Sequence, residues 1–270
     1  MIRQARSLQE PPCCLLNDAL ISYKHTVLLL TMVSSCKFKL IKMEHLLLWF
    51  GAEHTRDPRH PQFQELGKLW NEFVVNANSP LVVVENERRG TYASSTEAIR
   101  NGGEIGFMMY LAAQAGVLVK CFEPNRREEM NHIEKLFGRE KTEYYYFART
   151  VAQWHRVVQK GSIEEYVVPY LDRDRAASDW DDFDFSLSHI ALIHKQLFGT
   201  KLDLSDKEFF LKIENPTRTD NPLQEVVQVS GEFRDQSVVR SVRSAWVSHD
   251  IFMVYGVGHL EAHRRGLEAA

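Results

Sequence analysis

Cysteine is scarce in this chain: 4 residues, Cys13, Cys14, Cys36 and Cys121, with no C-x-x-C spacing. That argues against a disulfide framework and against a cysteine-built zinc site. No apolar run reaches the length of a membrane-spanning helix. No sustained basic block occurs and the formal net charge is -3, so nucleic acid is not an expected partner. A G-x-G-x-x-G fingerprint and a Walker lysine are both missing, which argues against nucleotide binding. The absence of G-x-S-x-G argues against a serine nucleophile on a strand-to-helix elbow. Asp179, Asp181, Asp182 and Asp184 crowd one stretch without EF-hand spacing, so calcium is not expected there.

What is present is ordinary globular composition: 270 residues, 44% hydrophobic and 26% charged. This suffices for one large domain or two small ones. The chain is organised around the stretch from His45 to Thr55, where the apolar run Leu46-Leu47-Leu48-Trp49-Phe50 ends in Gly51 and is followed by Glu53 and His54. A short apolar run closed by a turn signal reads as a buried strand. The same arrangement returns near the other end: Ile251-Phe252-Met253-Val254-Tyr255, then Gly256 and His259. Both places read as strand, then Gly-x-x-His.

Between them, Phe63, Leu66, Leu69, Trp70 and Phe73 recur at helical spacing, and Leu81-Val82-Val83-Val84 forms a further strand ending in Glu85. Strand, helix and strand in this order predict a right-handed crossover with parallel strands, so His54 and Glu85 should emerge at the same sheet edge. Arg88 follows Glu85 on a loop. Gly102-Gly103 opens a predicted helix with Glu104 in its first turn, where the helix dipole favours an acid. Val117-Leu118-Val119-Lys120-Cys121-Phe122 is a third such strand, ending in Glu123. Residues 126–159 read as helical, 172–185 as a loop, and Pro216 to Pro222 as a linker able to act as a lid. Arg234-Asp235 opens a helix leading to the last strand, and His263 sits on a closing helix. The expected class is α/β, with a mostly parallel central sheet, flanking helices and a helical insertion, in a single domain over residues 43–270.

Residues 1–42 read as an N-terminal extension. A basic flank and an apolar stretch precede Val33-Ser34-Ser35-Cys36, which resembles a bacterial lipobox. Lipidation of Cys36 would attach the domain to a membrane surface outside the cytoplasm. The alternatives are an upstream extension before a start at Met43, or an ordinary apolar segment, in a cytoplasmic protein.

Acids and imidazoles at strand ends suggest chemistry. Two histidines and a carboxylate can hold a catalytic zinc, iron or manganese ion, or cobalt, with a position left for water. A further carboxylate can serve as general base. The competing reading is that each acid caps a helix and each histidine is a satisfied polar group.

The paired motifs Gly51–His54 and Gly256–His259 resemble those of the TraB/Tiki superfamily, which includes ChaN-like haem-binding proteins and erythromycin esterases. Glu85 with Arg88, Gly102-Gly103-Glu104, Arg234-Asp235 and Gly256-Val257-Gly258-His259-Leu260 resemble its remaining motifs in order and spacing, from about residue 45 to 268. The resemblance implies a site of His54, His259, Glu85, Glu104 and Arg234, with His54, His259, Glu85 and Glu123 as metal ligands. Glu53, Arg88, Asp235 and His263 are secondary candidates. It implies metal-assisted hydrolysis of a peptide or ester bond in a peptide or small-molecule substrate, or, alternatively, haem or metal carriage without turnover. The esterase pattern has its glutamate directly after the first glycine. Here Ala52 stands there, which departs from that pattern.

Overall fold

The computed structural model describes residues 19–23, 26–34, 36–42, 44–86, 90–213 and 220–269, with residues 19–23 and 26–34 described as backbone. Two backbone strands come first, β1 (Ala19–Tyr23) and β2 (Thr26–Ser34). They are followed by β3 (Lys37–Lys42), β4 (His45–Ala52), helix α1 (Pro61–Asn76), β5 (Pro80–Val84), α2 (Ser95–Gln114) and β6 (Leu118–Lys120). A helical series follows: α3 (Arg126–Phe137), α4 (Arg139–Gln153), α5 (Ile163–Ala177), α6 (Leu187–Phe198), α7 (Lys207–Ile213) and α8 (Gln224–Trp246). Strand β7 (Asp250–Gly256) and helix α9 (Leu260–Glu268) close the chain.

The sheet order is β1-β2-β3-β4-β7-β5-β6. β4, β7, β5 and β6 are parallel neighbours, whereas β1 to β4 form an antiparallel meander. The fold is therefore mixed α/β, and the crossover from β4 through α1 to β5 leaves a gap that β7 fills. β7 pairs Leu47 with Ile251 on one side and Leu81 with Ile251 on the other. Its residues are buried throughout, as expected of a central strand covered on both faces. Side chains alternate across the sheet. Leu48, Phe50, Val82, Val84, Phe252 and Val254 share a core with Phe63, Leu66, Trp70 and Phe73 of α1. Trp49 points to the other face and meets His263 of α9.

At the entrance to the sheet, the buried Asp250 carboxylate accepts the Leu46 N–H at 2.6 Å and the N–H groups of Asn78 and Ser79 at 2.9 and 3.3 Å. One carboxylate thus ties the starts of three neighbouring strands with charge-assisted hydrogen bonds.

The sheet extends to residues before the expected start of the domain. A boundary at residue 42 would leave β3 outside the fold, yet Lys37–Lys42 pairs with β4 along its length. Phe38 and Leu40 are fully buried, and the Phe38 ring stacks on Trp49 at 5.5 Å. Burial of these apolar side chains draws β3 into the sheet. The stretch resembling an export signal is, over Thr26–Ser34, a strand hydrogen-bonded to β3. The chain divides into two compact units, one running through Cys121 and resuming at Arg243, the other spanning Phe122–Val242. The expected helical insertion corresponds to this second unit. Its α5 runs to Ala177, so part of the 172–185 loop is helical, and α8 begins ten residues before Arg234. Most of the predicted lid falls on residues 214–219, outside the described residues.

The second unit is built on aromatic residues and buried charge. Tyr144, Tyr145, Tyr146 and Phe147 lie in its core. Asp174 holds the Arg126 guanidinium in two hydrogen bonds of 2.7 and 2.8 Å, and that guanidinium lies over the Tyr146 ring. Glu143 is fully buried and neither of its oxygens has a hydrogen-bond partner among the described residues. Burial, then the Asp174 charge, pushes its carboxyl up to about 9, with Arg126 pulling the other way.

Two outcomes follow from this packing. Replacing Phe38 by alanine should lower stability by about 3 kcal/mol in urea unfolding, as for other buried aromatics. A loss below about 0.5 kcal/mol would show that β3 is a dispensable edge. For Glu143 the folded state keeps a proton that the unfolded chain releases above its ordinary value of 4.5. Its contribution to stability is therefore present at low pH and declines as pH rises from 4.5 towards about 9. Glu143→Gln should flatten that decline between about pH 5 and about pH 8, and equal slopes in variant and parent would remove Glu143 as its source.

Candidate functional site

Three parallel strands deliver the site. His54 lies two residues beyond β4, Glu85 one residue beyond β5, and His259 three residues beyond β7. Since β4, β7 and β5 are adjacent and parallel, all three groups emerge at their carboxyl ends, where open α/β sheets build sites. Glu85 reaches across to the neighbouring strand end, and its Oε2 accepts the Gly256 N–H at 2.8 Å.

The carboxylate of Glu85 stands between two imidazoles. Its Oε2 is 3.7 Å from His54 Nε2 and its Oε1 is 3.7 Å from His259 Nε2. These are charge contacts, longer than hydrogen bonds. On the other side of His54, Nδ1 donates to Glu104 Oε1 at 2.7 Å. Glu104 is buried, whereas the His54 side chain is 61% exposed. In the neutral ring the buried carboxylate fixes the proton on Nδ1, so that Nε2 faces Glu85 as an acceptor.

Glycine makes these approaches possible. A Cβ on Gly256 would lie 2.6 Å from His54 Nε2 and 3.2 Å from Glu85 Oε2. α2 consists of two helical stretches that meet at Gly103, whose backbone is at φ 61° and ψ -143°. That conformation is open to glycine and strained for other residues. A Cβ there would also come within 3.1 Å of the Thr55 carbonyl oxygen, next to His54. The Gly-Gly pair thus marks the break within α2, where a helix start was expected. Glu104 still opens a helical stretch, because the second one begins there.

Behind His259 lies an aromatic wall. His263 is fully buried and stacks on His259 with centroids 5.4 Å apart. Tyr255 presents an edge contact to both rings. Trp49 Nε1 donates to His263 Nδ1 at 3.2 Å.

The first unit therefore brings together His54, Glu85, Glu104 and His259. Glu123 and Arg234 belong to the second unit and hold each other there, with Arg234 Nη2 and Nε donating to Glu123 Oε2 at 2.6 and 3.1 Å. Burial pulls the Arg234 guanidinium down, but Glu123 holds it above its ordinary value, against partial opposition from Arg149. One Glu123 oxygen is thus held by an arginine, where a metal ligand was expected. Asp235 lies on α8 in the second unit. Glu53 is exposed and its carboxylate faces His60 Nε2 at 3.5 Å, while its backbone is held by the Gln62 side chain. Arg88 is outside the described residues. Trp49 and Tyr255 were not anticipated, since in sequence they are simply apolar strand positions. His194 is buried and bonds Tyr144 at 2.6 Å and Thr200 at 3.0 Å.

Compared with family models, curated proteins and solved structures, the chain has no match.

The Glu104–His54 bond predicts a tautomer. In the parent protein His54 should carry its proton on Nδ1, the less common form of a neutral imidazole in water. Glu104→Ala should move it towards the Nε2–H form. Nitrogen-15 NMR of labelled histidine reads this directly, and an unchanged tautomer would show that Glu104 does not orient the ring.

Proposed function

We propose that the first unit carries a hydrolytic site of TraB/Tiki type, in which His54, His259 and Glu85 hold one divalent ion of manganese, cobalt or zinc. One observation carries this reading. In a neutral His54 the proton sits on Nδ1, so Nε2 is an acceptor, and it faces Glu85 Oε2, which already receives the Gly256 N–H. Two acceptors facing each other at 3.7 Å repel unless a second ring proton, a cation or the hydrogens of a water lie between them, and we assign that place to a cation. Two imidazole nitrogens and a carboxylate are also a common donor set for these metals. The separations of 3.7 Å are a few tenths of an ångström wider than the roughly 3.3 Å between neighbouring ligands on a tetrahedral zinc. They run to different oxygens of Glu85, so a shared ion requires a side-chain movement that brings both imidazoles to one ligand sphere.

Such an ion, when bound, lowers the cost of deprotonating a water near neutral pH. The chain's own residues do the rest. Glu104 orients His54, the outer-sphere role a carboxylate commonly plays behind a ligating imidazole. Gly256 anchors one oxygen of Glu85 and, lacking a Cβ, leaves room above it. Glu85 would supply the proton acceptor that hydrolysis of a peptide or ester bond requires, through the oxygen that does not hold the ion. Arg234, bound to Glu123, has no part in this reading. The paired Gly-x-x-His motifs and the mixed α/β sheet support the superfamily proposal. Two carboxylates, Glu104 and Glu85, flank His54, which favours a small cation over haem.

The test is turnover on a panel of peptide and ester substrates with added Mn²⁺, Co²⁺ or Zn²⁺, alongside metal analysis of the purified protein. His54→Ala, His259→Ala and Glu85→Gln should each lower kcat/KM by roughly 100-fold or more, and the double histidine variant by little beyond that, since the ligands act as a unit. Gly256→Ala should do likewise with its circular dichroism intact, because the added methyl displaces His54 and little of the core. Full activity in the His54→Ala/His259→Ala variant would end the assignment. Tight haem binding without turnover would transfer it to a carrier.

A further inference from the structure

His259 and His263 are four residues apart, the spacing by which a helix presents two histidines to one zinc ion. Their rings are stacked, which strengthens that reading at first sight. The hydrogen bond behind them points elsewhere. An indole N–H can only donate. Trp49 donates to His263 Nδ1 inside the core, so that nitrogen must offer its lone pair. A neutral His263 then carries its proton on Nε2. Ligation of an ion through Nε2 would require the proton to move to Nδ1, where it would confront the indole N–H at 3.2 Å in a fully buried place. Trp49 has no freedom to withdraw. It is buried on strand β4, with Phe38 stacked on it almost in parallel at 5.5 Å.

We infer that His263 is a positioning residue for His259, locked by Trp49 as the Nε2–H tautomer, and is not a metal ligand. The inference rests on the proposed site for its functional meaning, but the tautomer itself does not depend on it. His263 lies against one face of the His259 imidazole, and Tyr255 contacts both rings edge-on at 4.9 Å from His263 and 6.0 Å from His259. A ring held on its face and at its side keeps a fixed rotation about its own bonds. That rotation is what aims His259 Nε2 at Glu85 Oε1. The chain of constraint runs from Phe38 through Trp49 and His263 to His259, so strand β3 bears on the site although it contributes no reacting group.

The experiment uses the full chain, uniformly nitrogen-15 labelled. A coupling across the hydrogen bond between Trp49 Nε1 and His263 Nδ1, together with a proton on His263 Nε2, is expected both before and after addition of Zn²⁺. A His263 that carries its proton on Nδ1, or whose Nε2 resonance shifts to a metal-bound position with Zn²⁺, would overturn the inference. Because these signals are read without substrate, they stand even if the hydrolytic reading fails. Trp49→Phe keeps the aromatic packing and removes the donor. It should abolish the coupling and lower kcat on the substrates of the parent protein by about tenfold with KM nearly unchanged, at the low end for residues that orient a ligand. His263→Ala should leave the stoichiometry of bound Co²⁺ unchanged, whereas loss of the ion in that variant would identify His263 as a ligand after all.

Discussion

The first unit depends on β7 being held in register between two strands that precede it by well over a hundred residues. Two carboxylates act at opposite ends of that arrangement. At the entrance, Asp250 collects N–H groups from Leu46, Asn78 and Ser79. At the exit, Glu85 of one strand holds the Gly256 N–H of the next. Buried charge is expensive unless it is fully hydrogen-bonded. Here the backbone supplies the bonds, so each carboxylate works only in one register. A slip by one residue would turn every β7 side chain to the wrong face. The sheet is thereby specified by polar contacts at its ends as much as by the apolar packing of its middle.

The same economy builds the candidate site. Glu85 is at once the clasp between β5 and β7 and the carboxylate that faces two histidines. Its position is set by the backbone bond to Gly256, so its oxygens are aimed before any ligand arrives. Glu104 sits where a left-handed glycine breaks a helix, and that break lets a buried acid meet an exposed imidazole. The side chains with chemistry to do are therefore supported from rigid elements, while His54, the most exposed of them, remains adjustable.

The second unit solves a different problem. Its helices bury several charged groups among aromatic rings. Arg126 meets Asp174 in a paired fork and lies over Tyr146, and Tyr145, Ser230 and Glu129 form a chain of hydrogen bonds of 2.7 and 2.5 Å. Ion pairs of this kind contribute little net stability against an apolar alternative, but losing one partner strands the other. They therefore act on which arrangement the helices adopt. Glu143 is the member without a hydrogen-bonding partner among the described residues, and burial keeps it protonated at neutral pH.

Several features of this protein could be read from its sequence. Apolar runs closed by glycine became β4 and β7, the helical spacing from Phe63 to Phe73 became the buried face of α1, and the strand–helix–strand order implied parallel strands with His54 and Glu85 at one edge. These are local signals, carried by side-chain periodicity and by the backbone freedom of single residues. Other features were decided by tertiary structure. That β7 enters between β4 and β5, that β3 joins the sheet through Phe38, that Gly103 breaks a helix, and that Glu123 is taken by Arg234 all involve partners far apart in the chain. Glu53 and Glu85 look equally plausible in sequence, yet one faces His60 at the surface and the other two histidines at the strand ends. No local pattern separates them, because an acid's role depends on which donors the folded backbone places within about 3 Å of it, and that is fixed only when distant strands come into register.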